Sequence, residues 1–380
     1  MTTTVAVDHE ADRRMPRRLL IFSTGSLGDT LLVVPAVRVL REHFPTAELV
    51  LLCDVQAGSN YVLAKDILAS GGLVNRSITY VIRSGRGGWI FNLIRKLSLL
   101  ATLRRGGFDT LAYCVEAYQG DRRVERDRRF SRLAGIRRFI GMDGLERRPL
   151  SQGLRIERVT NRADELLNRL AASGIPIPST GHGVLDLNLQ PEELAIFEEW
   201  RSALPPDGGR PWVGIGPGSK MPAKVWPSER FQVLVQRLID EFDIWPVVFG
   251  GPEDAALGER LVRSWGRGHV AAGALGVRVS AGGLGHCRLY VGNDTGTMHL
   301  AAAAAIPCVA IFSSRAPPGR WDPYGGCHHV LRTEIDCAGC RLIACIERDM
   351  ACLMRISVDH VHQACSDVLS SAGPAMQEDC

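Results

Sequence analysis

The sequence predicts an α/β protein of two doubly wound domains facing a shared cleft. Three observations carry this expectation. Short apolar runs alternate with longer segments of helical spacing through most of the 380 residues, the pattern of strand–helix–strand units whose parallel sheets are covered on both faces. The strand candidates are continuously apolar, as strands buried on both sides are. A stretch rich in Pro and Gly at residues 171–181 interrupts the alternation and splits the chain into two comparable halves. We place the first domain at 1–185 and the second at 186–355. A terminal segment at 356–380 carries a helix candidate expected to pack back on the first domain. A hydrophobic content of 46% suffices for two cores and excludes a disordered chain.

The strand candidates of the first half are 19–22, 48–53, 78–82, 110–115 and 139–142. Those of the second are 212–215, 245–249, 289–291 and 308–312. Helical spacing marks 29–43, 228–242, 253–265 and 296–305. A net charge of +4 excludes a generic nucleic-acid binder. No apolar run is long enough to cross a bilayer. Residues 1–18 lack the apolar core of a secretory signal and read as a polar extension, with Met15 as an alternative start. A cytoplasmic setting is therefore expected, in which the eleven cysteines are reduced thiols or metal ligands.

The first strand runs into Gly25-Ser26-Leu27-Gly28-Asp29, a tight strand-to-helix turn that is only a fragment of a dinucleotide fingerprint. Asp29 is either a first-turn helix acid, which the helix dipole favours by about 0.3–1 kcal/mol, or a general base facing the cleft. Pro35 should kink the following helix or occupy an early turn.

In the second half, residues 214–227 hold three glycines and two of the chain's four lysines, Lys220 and Lys224. Glycines admit backbone N–H groups close to an anion, and ammonium groups add point charge. Ser219 stands where a Walker A loop requires Gly directly before its Lys, so a sugar-nucleotide or dinucleotide site fits better. The segment 289–305 is a strand, a polar turn and an alanine-rich helix. The N–H groups at Thr295, Gly296 and Thr297 suit a diphosphate. Asp294 either caps that helix or orders the loop around a donor, and His299 either packs or contacts the donor. Glu253, after Gly250-Gly251, is a first-turn acid or an acceptor of ribose hydroxyls.

Taken in order, Leu27-Gly28-Asp29 with Pro35, Lys224-Val225-Trp226-Pro227, and Asp294-Thr295-Gly296-Thr297-Met298-His299 resemble the motifs of glycosyltransferase family 9, the ADP-heptose:lipopolysaccharide heptosyltransferases. The resemblance covers roughly residues 18–370. It implies a GT-B architecture of two Rossmann-like domains, with acceptor and nucleotide-sugar halves in that order. It implies an inverting, metal-independent transfer that needs no catalytic cofactor. Asp29 matches the base, and Lys224 the lysine that stabilises the leaving diphosphate. Ser219, Glu253, Asp294, Thr295, Gly296 and His299 match nucleotide contacts. Lys220 occupies a position that is often a hydroxyl in the family and joins the donor candidates. Gly28, Arg122 and Arg123 are the acceptor candidates. The donor implied is ADP-heptose, and the acceptor a glycolipid or glycan such as lipopolysaccharide core.

Residues 121–148 hold ten arginines against five acids, which an anionic acceptor would explain. The basic side chains Arg83, Arg86, Arg95, Lys96, Arg104 and Arg105 interleave with Trp89, Ile90, Phe91, Leu93, Ile94, Leu97, Leu99 and Leu100. That mix fits peripheral contact with an anionic membrane such as the inner face of the inner membrane, or a core helix with a basic rim. Cys337, Cys340, Cys345 and Cys352 either bind a structural zinc or iron or remain thiols or disulfides. Such cysteine-rich segments recur near the C-terminus of enzymes of the family that this chain resembles, and a related protein-glycosylating branch looks like it uses one for iron. The rival readings are a nucleotide-dependent oxidoreductase with Asp54 as its ribose acid, a non-catalytic binding protein, and a relative that modifies a protein or small molecule.

Overall fold

The computed structural model describes residues 15–56, 62–82, 89–116, 120–143, 145, 153–154 and 156–371. The first sheet contains β1 (Arg18–Ser23), β2 (Glu48–Gln56), β3 (Arg76–Ile82), β4 (Thr110–Tyr113) and β5 (Arg138–Ile140). Their order is β3-β2-β1-β4-β5, and every pair is parallel. The second sheet contains β6 (Trp212–Gly216), β7 (Trp245–Val248), β8 (His269–Val270), β9 (Cys287–Asn293), β10 (Cys308–Phe312) and β11 (His329–Arg332). It runs β11-β10-β9-β6-β7-β8, again all parallel. Strand order reverses beside β1 in one sheet and beside β6 in the other. At such points the loops leaving the carboxyl ends diverge and open a crevice.

The single helix expected over 29–43 is two helices, Leu27–Leu31 and Val34–His43, with Pro35 in the first turn of the second. Proline is accommodated there because its missing N–H has no intrahelical partner in any case. The short edge strands β8 and β11 escaped the sequence reading: one has two residues, and the other is half-exposed.

The last helix, Val358–Ser371, corrects the expected packing on the first domain. It lies on the second sheet, against the helix Ser228–Phe242 and strands β9 and β10. Its apolar face of Val361, Ala364, Cys365 and Val368 joins Leu234, Leu238, Val309 and Ile311 in one cluster. That packing covers an apolar face of the second sheet.

The two domains share a continuous apolar core. It includes Leu31, Val34 and Leu166 from the first half and Phe197, Leu284, Met298 and Leu300 from the second. Two buried arginines clamp the junction. Arg278 donates to the Ile67 carbonyl at 2.7 Å and the Leu187 carbonyl at 3.1 Å, and pairs with Glu193 at 2.6 Å. Arg320 pairs with Glu165 at 2.7 Å and also with Glu116. Burial alone would raise the Glu165 carboxyl, but Arg162, Arg320 and Arg169 outweigh it and hold it down at about 2.

The helix Trp89–Gly106 exposes Leu93, Ile94 and Leu97 beside Arg95 and Lys96, so those apolar side chains are not core. Arg83 and Arg86 lie outside the described residues. Among the described residues no helix is long and apolar enough to cross a membrane.

Candidate active site

One cavity of about 380 Å³ sits between the carboxyl ends of the two sheets. The turn after β1 contributes Gly28 and Asp29, and β2 contributes Asp54. The loop after β6 contributes Ser219, Lys220 and Lys224, the turn after β7 Glu253 and Asp254, and the turn after β9 Asp294, Thr295 and Gly296. The structure therefore brings the base candidate and the phosphate-loop candidates to one space.

Asp29 occupies the first turn of the helix Leu27–Leu31. Its Oδ2 accepts from the Ser26 N–H at 2.7 Å and the Ser26 hydroxyl at 2.8 Å. Capping and facing the cleft are thus compatible: one carboxylate oxygen fixes the turn while the residue lines the cavity. The turn needs Gly25, whose φ is +129° and whose Cβ would come within 2.6 Å of the Asp29 side chain. The Gly25 N–H donates to Asp54 Oδ1 at 3.2 Å. Burial raises the Asp54 carboxyl, with that hydrogen bond opposing. Asp54 thus borders the same space as Asp29.

Gly28 contributes close approach. A Cβ there would lie 2.8 Å from His299 Cδ2, and one at Gly296 would lie 2.8 Å from the Leu27 side chain. The helices Leu27–Leu31 and Gly296–Ala303 therefore meet across the domain boundary at two glycines. His299 is 3% exposed, and its Nδ1 is buried without a hydrogen-bond partner. Burial pushes its imidazole down to about 4, against the pull of Asp294. It is a neutral ring packed beneath the cleft rather than one of the residues lining it.

On the second-domain side of the cavity, Lys224 Nζ lies 2.8 Å from Asp294 Oδ2, with side chains 16% and 4% exposed. Lys220 Nζ lies 3.4 Å from Glu253 Oε1, and both side chains are 43% exposed. The glycine loop is held by Asn293, a residue the sequence reading passed over. Asn293 Oδ1 accepts from the Trp226 N–H at 3.0 Å, and its Nδ2 donates to the Pro217 carbonyl at 2.8 Å. Asp254 was also missed. Its carboxylate accepts from the Gly251 N–H at 3.0 Å and crowds Gly218, where a Cβ would fall 1.9 Å from Oδ1. The only sequence signal for either residue was its place beside a glycine turn.

Arg122 and Arg123 are not among the residues that line the cavity. They sit on the helix Gly120–Leu133, where Arg123 Nε faces Asp127 at 3.6 Å. Cys337, Cys340, Cys345 and Cys352 are free thiols around a separate small cavity in the second domain. Among the described residues no three His, Cys, Asp or Glu side chains are arranged to hold a metal ion.

Comparison with known proteins shows what this chain is similar to. The family model of glycosyltransferase family 9 (heptosyltransferase) matches residues 166–351. Lipopolysaccharide heptosyltransferase 2 of Escherichia coli is 33% identical over 116 residues, which is 28% of this chain and 32% of that relative. The match thus spans about a third of the relative's length. The solved glycosyl transferase family 9 structure from Veillonella parvula superposes with a TM-score of 0.68 at 21% identity, covering 94% of this chain and 98% of the other. The E. coli heptosyltransferase WaaC with ADP-2-deoxy-2-fluoro heptose gives a TM-score of 0.62 at 21% identity, covering 92% and 99%. These likenesses establish the GT-B fold.

Proposed function

We propose, for a chain that is a heptosyltransferase-like protein of glycosyltransferase family 9, that it transfers a sugar from a nucleoside diphosphate to an acceptor hydroxyl with inversion. The observation that carries this reading is that Asp29 and Lys224, from different domains, line one cavity. The acceptor hydroxyl gives its proton to Asp29 as its oxygen attacks C1 from the side opposite the diphosphate. Asp29 Oδ1 is the oxygen assigned to that proton, because Oδ2 is committed to Ser26. The C1–O bond breaks and the nucleoside diphosphate leaves with its charge.

Lys224, Lys220 and the N–H groups opening the helix Gly296–Ala303 are set to meet that charge. Because these groups belong to the protein, we propose that no catalytic metal or other cofactor is needed. Glu253 is assigned to the ribose hydroxyls, and Ser219 and Thr295 to phosphate oxygens. ADP-heptose is the donor we propose, on the likeness to a structure solved with an ADP-heptose analogue. Lipopolysaccharide core is the acceptor we propose, on the name of the relative. The exposed Leu93, Ile94 and Leu97 beside Arg95 and Lys96 suit work at the cytoplasmic face of a membrane carrying that glycolipid. Gly28, Arg122 and Arg123 remain our acceptor-side assignments, the arginines acting outside the cavity lining.

The test is Asp29→Ala with ADP-heptose and heptose-deficient lipopolysaccharide. Donor binding should persist while transfer falls by about 10²–10⁴-fold. Transfer at the wild-type rate would remove the base assignment. Parallel incubation with GDP- and UDP-sugars tests the donor base. Metal analysis of the purified protein tests a structural zinc or iron at the four thiols. The paired-domain oxidoreductase is not favoured, because the turn after β1 carries Asp29 where a dinucleotide phosphate would bind.

A further inference from the structure

Lys220 and Glu253 form an ion pair unlike the other one in the cavity. They come from different loops, after β6 and after β7, and both line the donor side. Their contact is long, at 3.4 Å, and both side chains are 43% exposed. Lys224 and Asp294 are closer, at 2.8 Å, and far more buried. An exposed pair contributes little and exchanges partners readily, whereas a buried pair is costly to split. The Glu253 carboxylate lies over Gly251, where a Cβ would fall 2.4 Å from Oε2.

We infer that the Lys220–Glu253 pair is an exchangeable latch. The donor splits it, drawing Lys220 to its diphosphate and freeing Glu253 for its ribose diol, while Lys224 stays paired with Asp294. This deepens the proposed function and rests on its nucleotide assignment. A single exchange then presents a cation to the phosphates and an acceptor to the ribose. The two halves of the donor act oppositely on the pair. A nucleoside alone competes with Lys220 for Glu253, while a nucleoside diphosphate gives Lys220 a better partner. Lys220 is thus a specificity residue for the diphosphate.

The experiment measures binding of ADP, GDP and UDP, and of adenosine, guanosine and uridine, to the full-length wild type and to Lys220→Thr by calorimetry. Thr is chosen because it removes the ammonium charge and supplies the hydroxyl that the family often carries at this position. For the diphosphate the wild type binds best, Lys220→Thr should weaken affinity by about 10-fold. The salt dependence of that affinity should also flatten. Affinity for the matching nucleoside should not fall, since its competitor for Glu253 is gone. Parallel weakening of nucleoside and diphosphate would mean that Lys220 only holds the loop in shape, and would overturn the latch. So would an unchanged diphosphate affinity. Failure of the wild type to bind any of the six compounds would remove the nucleotide reading together with the latch, whereas the first two results remove the latch alone.

Discussion

Replacing Asn293 by Ala should damage both stability and donor binding, because one fully buried amide ties the loop after β6 to the end of β9. Asn293 is 0% exposed. Its Oδ1 accepts from the Trp226 N–H at 3.0 Å, and its Nδ2 donates to the Pro217 carbonyl at 2.8 Å and the Gly218 carbonyl at 3.4 Å. Removing the amide strands a buried donor at Trp226 and a buried acceptor at Pro217. Each unsatisfied group costs about 1–3 kcal/mol, so the loss should be about 2–6 kcal/mol, before any cavity term. Urea unfolding of wild type and variant measures it. The loop after β6 carries Ser219, Lys220 and Lys224, so the donor KM should rise more than kcat falls. Asn293→Asp tests the geometry at nearly constant volume. It keeps the acceptor toward Trp226 but sets a second acceptor against the Pro217 carbonyl, and should be tolerated worse than its size suggests. Stability of Asn293→Ala within about 0.5 kcal/mol of wild type, with an unchanged donor KM, would refute the reasoning.

Two buried histidines predict a pH dependence. Burial holds both His299 and His328 down at about 4, from an ordinary value of 6.5. The folded state therefore prefers both rings neutral. Their contribution is complete above pH 6.5 and is lost as pH falls from 6.5 toward 4, by at most about 3 kcal/mol for each. Stability that stays flat over that window in urea titrations would contradict it. Gly28→Ala should destabilise by about 1–3 kcal/mol, because its new methyl would meet His299 Cδ2 at 2.8 Å. Displacing the turn that carries Asp29 should also slow transfer by up to about 10²-fold, and a variant matching wild type in melting temperature and rate would disprove the close contact.

What could be read from the sequence was local, and what could not was long-range. Apolar runs located the long strands, because a strand buried on both faces has no polar side to disguise it. The turn–helix junctions at Gly28-Asp29 and Asp294-Gly296 were legible from glycines and caps. That Gly28 meets His299, 271 positions along the chain, was not, because nothing near Gly28 marks its partner. Asn293 looked like one polar residue of a turn until its carbonyl partners at Pro217 and Gly218 were seen. The arginines of 121–148 were visible as charge, but charge does not say which way a helix faces. Arg122 and Arg123 accordingly fall outside the cavity lining. The last helix has an apolar stripe that would suit either sheet, and the apolar face of β9 and β10 takes it.

The way the domains meet bears on how the site works. Paired Rossmann-like domains are expected to close on their ligands, and relative motion is the default when the interface is small and polar. Here the apolar core runs through the junction, and Arg278 and Arg320 fasten it with buried bonds to the opposite half. The helices bearing Asp29 and Thr295-Gly296 touch at glycines, so neither can slide without unpacking His299 and Leu27. This packing fixes the separation between the turn that carries Asp29 and the start of the helix Gly296–Ala303 at the floor of the cleft. Preorganised dipoles and charges stabilise a departing anion without reorganising during the reaction. At the rim, by contrast, Lys220 and Glu253 are paired at 3.4 Å with both side chains half-exposed. If the proposed function holds, this packing would put the chemistry at the contact between the domains and leave donor selection to the less buried loops after β6 and β7.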